Sequence, residues 1–241
     1  MQSNDVVIDI ITENLHHFSK QCLKTITNEI DNEDSDLYKS IIRKFYNEVL
    51  DNCRSGTLAR SIKNYLKPDD KIIDIMCGTG TLTKALENTG YNIEAVERES
   101  ALYGVKNFEY KNYDENCSLG HYDVSLLITV LHHEEKYWNL LELAMAHSDK
   151  IIIVENVIDK RHTQEIHEKI DEFFNRMLNQ FSADCPGKHL SDIEWRILLS
   201  TLQSFKLTRV EKIGFVPGIP VPHYLYVLER ECNGKKSSKL S

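Results

Sequence analysis

Ten residues, 71 to 80, constrain this chain more than any others: KIIDIMCGTG runs a short apolar strand into a glycine turn, with an acid, Asp74, at the strand's end. Gly78 and Gly80 carry no Cβ, so the backbone can turn sharply and a ligand can lie directly on the main chain. Two common phosphate binders do not fit. The third glycine of a GxGxxG dinucleotide fingerprint would fall on Thr83, and a phosphate loop needs Gly-Lys-Ser/Thr where Gly80 is followed by Thr81 and Leu82. An acid at the strand's carboxyl end repels an anionic pyrophosphate and attracts a cation. The turn therefore suits a positively charged, nucleotide-type ligand.

The segment TLTKALENTG follows as a helix, with Leu82, Ala85 and Leu86 at helical spacing and Gly90 as its stop. YNIEAVERES then reads as a second strand through Ile93, Ala95 and Val96, ending at Glu97. From Asp74 to Glu97 is 97 − 74 = 23 positions, about the distance at which a βαβ unit delivers an acid to a ribose diol. At this point the chain resembles the class I S-adenosylmethionine-dependent methyltransferases, which combine an acidic strand end, a GxG turn and a ribose-binding acid on the next strand. YDVSLLITVLHH, residues 122 to 133, is similar to that family's fourth-strand motif, an Asp at its start and Leu-His-His at its end. By spacing the resemblance covers residues 67 to 230. Cys77, where the family more often has a glycine or small polar residue, and Glu97, where it more often has Asp, are departures.

The resemblance implies an α/β fold: a Rossmann-like seven-stranded, mostly parallel sheet with an antiparallel C-terminal edge hairpin and helices on both faces, to which this chain adds an N-terminal helical cap. It implies S-adenosyl-L-methionine as cofactor, held by Asp74, Met76, Cys77, Gly78, Thr79, Gly80, Glu97, Arg98 and Thr129. Asp114, after the third strand, matches the acid that often binds the adenine amine. Tyr46 resembles the aromatic that some members fold over the cofactor, where a ring beside a sulfonium gains about 0.5 to 2 kcal/mol. His132 and His133 are the candidate bases, His133 matching the family histidine better, since an imidazole with pKa about 6.5 accepts a proton at neutral pH. His189 and His223 could reach the same cleft, although a structural role suits each of them better.

The expected activity is methyl transfer to a small-molecule hydroxyl or amine, with O-methylation favoured by the paired histidines. The alternatives are a catalytically silent cofactor-binding partner or regulator, and a methyltransferase acting on RNA or protein. An NAD-dependent oxidoreductase is disfavoured by Thr83 and by the carboxylate of Asp74. No Asn/Asp-Pro-Pro-aromatic motif for base methylation occurs, and Cys185-Pro186 reverses the Pro-Cys order of cytosine C5 enzymes. With 29 basic against 37 acidic residues the formal charge is −8, which does not favour nucleic acid as a partner through counterion release.

Two hundred and forty-one residues suit one catalytic domain with an added element. The expected division is an N-terminal helical cap or arm over 1–66, a methyltransferase core over 67–230 with a helical insertion at about 157–190, and a polar tail over 231–241. Amphipathic helices are expected around residues 5–30 and 37–50, and a third from Thr57 to Leu66, stopped by Pro68. They are read either as a cap over the cofactor crevice or as a packing arm, through which a homodimer could form. The six cysteines form no CxxC pair and no HExxH helix occurs, so neither a disulfide framework nor a metal is expected. No apolar run approaches the ~18 residues of a membrane span, and the expected location is the cytoplasm. Beyond the fourth strand, a helix over Glu135–Ala146, a fifth strand IIIVENV, a long helix from Asp159 to Asn179, a Ser191-capped helix with Glu194 completing a capping box, and a hairpin turned by PGIPVP are expected.

Overall fold

A computed structural model describes residues 51–98, 110–113, 119–178 and 188–231, the helix beyond Asp171 by its backbone alone. The sequence also predicts a helix over Ser100–Val105 and a turn at Cys185-Pro186-Gly187; these, with the two N-terminal helices, Tyr46, Asp114 and the tail from 232, lie outside the described residues.

In chain order the elements are α1 Asp51–Lys63, β1 Lys71–Ile75, α2 Thr81–Glu87, β2 Asn92–Glu97, β3 Lys111–Asn112, β4 Tyr122–Ile128, a 3-10 turn Leu131–His133, α3 Trp138–His147, β5 Ser148–Ile158, α4 Gln164–Leu178, β6 Leu190–Ser191, α5 Asp192–Ser200, β7 Phe205–Val216 and β8 Ile219–Arg230. They form an eight-stranded sheet whose main path runs β3-β2-β1-β4-β5-β8-β7. β1 to β5 pair in parallel, and β7 and β8 add an antiparallel hairpin at the edge. The seven-stranded expectation gains one member: β6 pairs in parallel with the end of β5, Val157 opposite Leu190.

Strand residues alternate between two cores, one on each sheet face. Ile72, Val124, Leu126, Ile152, Val154, Leu225 and Val227 pack with Leu58, Ala59 and Ile62 of α1 and Leu82 and Leu86 of α2. Ile73, Ile75, Leu127, Ile151, Ile153, Tyr226 and Leu228 pack on the other face with Leu140, Leu141 and Ala144 of α3 and Trp195 and Leu199 of α5. Burial on both faces is why β4 and β5 read as nearly unbroken apolar runs.

Several boundaries differ from expectation for local reasons. Residues 51 to 56 are already helical and α1 stops at Lys63, because Ser55, Leu58, Ala59 and Ile62 form one buried stripe that carries Gly56 along. The fourth strand ends at Ile128, and the helix after it begins at Trp138. The long helix starts at Gln164 instead of Asp159, since the Asp159 Oδ1 accepts the N–H groups of Arg161 and His162 at 2.8 and 2.7 Å and closes a turn. Only Pro217 and Gly218 turn the hairpin, and Ile219 to Pro222 belong to β8. The Ser191–Glu194 capping box on α5 is present.

Candidate active site

Strand order reverses between β1 and β4, and at such a switch point an open α/β sheet binds ligands beyond the carboxyl ends of its strands. The turn after β1 stands there. Met76, Gly78 and Gly80 are all left-handed, with φ of 56, 58 and 74°, so three alternate residues wind the main chain into a cradle. A Cβ added at Gly78 would meet nothing within 4 Å, which is open space above the backbone. Glycine tolerates this conformation, and the buried Met76 adopts it at a cost of about 1 kcal/mol or more.

Two carboxylates flank the cradle. Asp74 is 2% exposed and its Oδ2 accepts from the Thr83 hydroxyl at 2.6 Å. Thr83 thus occupies the place of a fingerprint glycine and holds the acid instead. Burial, reinforced by the charge of Glu97, outweighs the Thr83 hydrogen bond and the attraction of Arg54, and pushes the Asp74 pKa from 3.8 up to about 7. Glu97, equally buried, accepts from the Gly78 N–H at 2.6 Å and from the Arg98 N–H at 2.8 Å. A concave backbone with two converging buried carboxylates attracts a cation and supplies acceptors for hydroxyl groups.

The remaining expected cofactor contacts are divided. Thr79 and Thr81 both donate to Asp51 Oδ2, at 2.9 and 2.6 Å, which ties α1 to the cradle. Arg98 reaches away to Glu134, Nη2 to Oε2 at 3.0 Å, and lies over the Tyr113 ring. Thr129, at φ 52°, is a β-branched residue in a strained region, and its hydroxyl accepts from Arg54 Nη2 at 2.6 Å. Asp51 and Arg54, on adjoining turns of α1, were not legible as site residues in the sequence.

Beyond the ends of β4 and β5 lies a second group, built of histidines. Glu155, fully buried on β5, accepts through Oε1 from the N–H groups of Val130 and Leu131 at 3.0 and 2.8 Å, and its Oε2 accepts from His132 Nδ1 at 2.6 Å. Burial opposes a charge on His132, but Glu155 and then Asp171 hold its pKa above the ordinary value. The partly exposed His133 ring lies 4.2 Å from that of His132. His189, brought alongside β5 by β6, packs at 4.7 Å from His132 and donates from Nε2 to Asp171 Oδ2 at 2.7 Å. His167 stands 4.4 Å from His189. It shares the inward face of α4 with Ile170 and Asp171, at helical steps of three and four.

Burial, and then the neighbouring His189, lower the His167 pKa to about 3. Burial opposes ionisation of Asp171, but His189 and His132 hold its pKa at about 2. His223, opposite Asn156 in the β5–β8 ladder, donates from Nδ1 to the Val221 carbonyl at 2.8 Å. Its pKa is lowered to about 3, by burial first and then by Arg54. The structure thus brings His132, His133 and His189 together, and adds Glu155, His167 and Asp171. Of the additions, the His167–Asp171 spacing on a helix was the one signal available in the sequence.

No protein-family model matches the sequence, and no curated protein matches it. Solved structures do match. The mitomycin 7-O-methyltransferase superposes with a TM-score of 0.55 at 17% identity over 84% of this chain and 60% of its own. Magnesium protoporphyrin IX methyltransferase from Synechocystis PCC 6803, solved with bound SAH, gives 0.52 at 16% identity over 80% of this chain and 100% of its own. The pyocyanin biosynthetic protein gives 0.53 at 16% identity over 86% and 62%. This chain therefore spans less than two thirds of the first and third of these proteins. The fold is that of the class I S-adenosylmethionine-dependent methyltransferases.

Proposed function

We propose that the protein is an S-adenosylmethionine-dependent methyltransferase acting on a small molecule, with a hydroxyl favoured over an amine as acceptor. The observation that carries this reading is the pair of buried carboxylates, Asp74 and Glu97, on adjacent strand ends around a turn that is left-handed at Met76, Gly78 and Gly80. Both acids are kept where burial penalises their charge, which a cationic ligand offsets. The shared fold supports it, as do the neighbours whose names specify methylation of mitomycin and of magnesium protoporphyrin IX.

On this reading the main chain from Met76 to Gly80 seats the nucleoside, and Glu97 exchanges the Gly78 N–H for the ribose hydroxyls. When bound, S-adenosylmethionine supplies a methyl group on a sulfonium that is already a good leaving group. The chain's own part is to position the acceptor, which alone lowers a barrier by several kcal/mol. His133 is the candidate to take the hydroxyl proton, with His132 second, and each stands past the end of the strand next to the cradle.

Titration calorimetry with S-adenosylmethionine and S-adenosylhomocysteine, followed by labelled-methyl transfer to a panel of phenols and amines, tests the proposal. Heat with both ligands and transfer to a hydroxyl are expected, and His133→Ala should lower turnover more than cofactor affinity. Absence of heat from the folded chain refutes the reading, and binding without transfer to any acceptor turns it into a silent cofactor-binding module.

A further inference from the structure

We propose that His132, Asp171 and His189 form a binding site for one divalent transition-metal ion of the zinc class. One ligand atom from each residue lies within 4.8 Å of the others. Metal–ligand bonds of about 2.0 to 2.2 Å place ligand atoms roughly 3 to 4 Å apart, so small side-chain rotations close the shell. Two imidazoles with one carboxylate are a donor set that suits zinc and its neighbours, while magnesium and calcium prefer oxygen alone.

Three features separate this cluster from an ordinary polar core. The His132 Nδ1 is held by Glu155 at 2.6 Å, which fixes the ring and leaves Nε2 to coordinate, the carboxylate–histidine arrangement that supports metal-ligating imidazoles. Among the described residues, the Nδ1 of His189 is buried with no hydrogen-bond partner, and of the two buried ring nitrogens of His167 the Val157 backbone can satisfy only one. Buried imidazole nitrogens are ordinarily satisfied, and these fall on two adjacent rings, 1% and 3% exposed, one in the triad and one beside it. Finally, the ligands come from three separate places in the chain, the turn after β4, α4 and the residue just before β6. A single ion would tie together the pieces that wall the space beyond β4 and β5.

The inference does not rest on the methyl-transfer reading, and its test needs no cofactor. The full chain, stripped with chelator, would be titrated with zinc and with magnesium by calorimetry, and with cobalt(II) by visible absorption. About one zinc per chain, no heat with magnesium, and intensified cobalt d–d bands are expected. Asp171→Asn and His189→Ala should each weaken zinc at least about tenfold, and Glu155→Gln, which alters the nitrogen's partner without touching the ion, by about 10- to 100-fold. Far-UV circular dichroism and the thermal transition check that each variant folds. The near-isosteric Asp171→Asn decides the matter if His189→Ala does not fold. Absence of zinc heat and cobalt bands from the wild-type chain, or wild-type zinc affinity in Asp171→Asn, would overturn the assignment.

Discussion

Replacing Asp74 by asparagine keeps the side chain's shape and its ability to accept from Thr83 while removing a charge that the fold penalises. Burial, and then Glu97, raise the pKa of Asp74 from 3.8 to about 7. At 1.36 kcal/mol per pH unit, ionising it in the folded state costs about 4 kcal/mol relative to ionising it in the unfolded chain. A raised folded-state pKa means that the native state binds the extra proton. The associated stability is fully present below about pH 4 and is lost as pH rises through about 7. Asp74→Asn does not titrate, so its stability relative to wild type should climb by roughly 3 kcal/mol between pH 5 and pH 8. Urea denaturation at the two pH values measures this difference. The same substitution should weaken S-adenosylmethionine by at least tenfold, about 1.4 kcal/mol, because the cation loses a charge built to face it. A variant that is both more stable and a poorer binder separates an electrostatic role from simple damage. A stability difference that does not change with pH, or a variant less stable than wild type at pH 8, would refute the reasoning.

Glu97→Ala should cost at least a tenfold loss of cofactor affinity, about 1.4 kcal/mol, the scale of a lost charged hydrogen bond; calorimetry giving the wild-type dissociation constant would remove it from the ribose site. Met76 offers a test of the cradle's backbone. Both Met76→Ala and Met76→Gly lose a side chain packed in the core and should destabilise, but at φ 56° the usual order inverts, and the glycine variant should be the more stable by about 1 kcal/mol. Thermal melts of the two variants side by side decide it, and an alanine variant equal to or better than glycine contradicts a left-handed residue 76.

Much of the fold could be read from local pattern. Apolar runs bounded by turn residues located β1, β2, β4, β5 and the hairpin, since a strand buried on both faces leaves its mark in consecutive residues. Ser191 with Glu194 marked the start of α5, because a capping box is a contact among four neighbouring residues. Boundaries set by side-chain hydrogen bonds or by packing against distant strands were less legible. Asp159 looks like a helix residue until its carboxylate is seen to close a turn, and α1 extends through Gly56 because a buried stripe carries it.

The two halves of the site differ in legibility for the same reason. The cradle is one continuous stretch, from Asp74 to Gly80, and its acid partner follows after a single βαβ unit of fixed length, so spacing alone locates both. The histidine cluster has no such continuity. Short metal motifs such as CxxC or HExxH report ligands that one turn or one helix brings together, and their absence at the sequence level led to the expectation of no metal. His132, Asp171 and His189 converge only because Glu155 pins the turn after β4, the late start of α4 aims the Asp171 face inward, and β6 pairs with the end of β5. Each placement is a tertiary event. On α4 the apolar spacing in the sequence marks Ile166, Ile170, Phe173, Phe174, Met177 and Leu178 as one side; Ile170 is buried, and His167 and Asp171 sit on that same face. Polar residues at core positions of an amphipathic helix must be satisfied by something, and a histidine and an aspartate four apart on a buried stripe are a local signal for a site whose remaining ligands lie elsewhere in the chain.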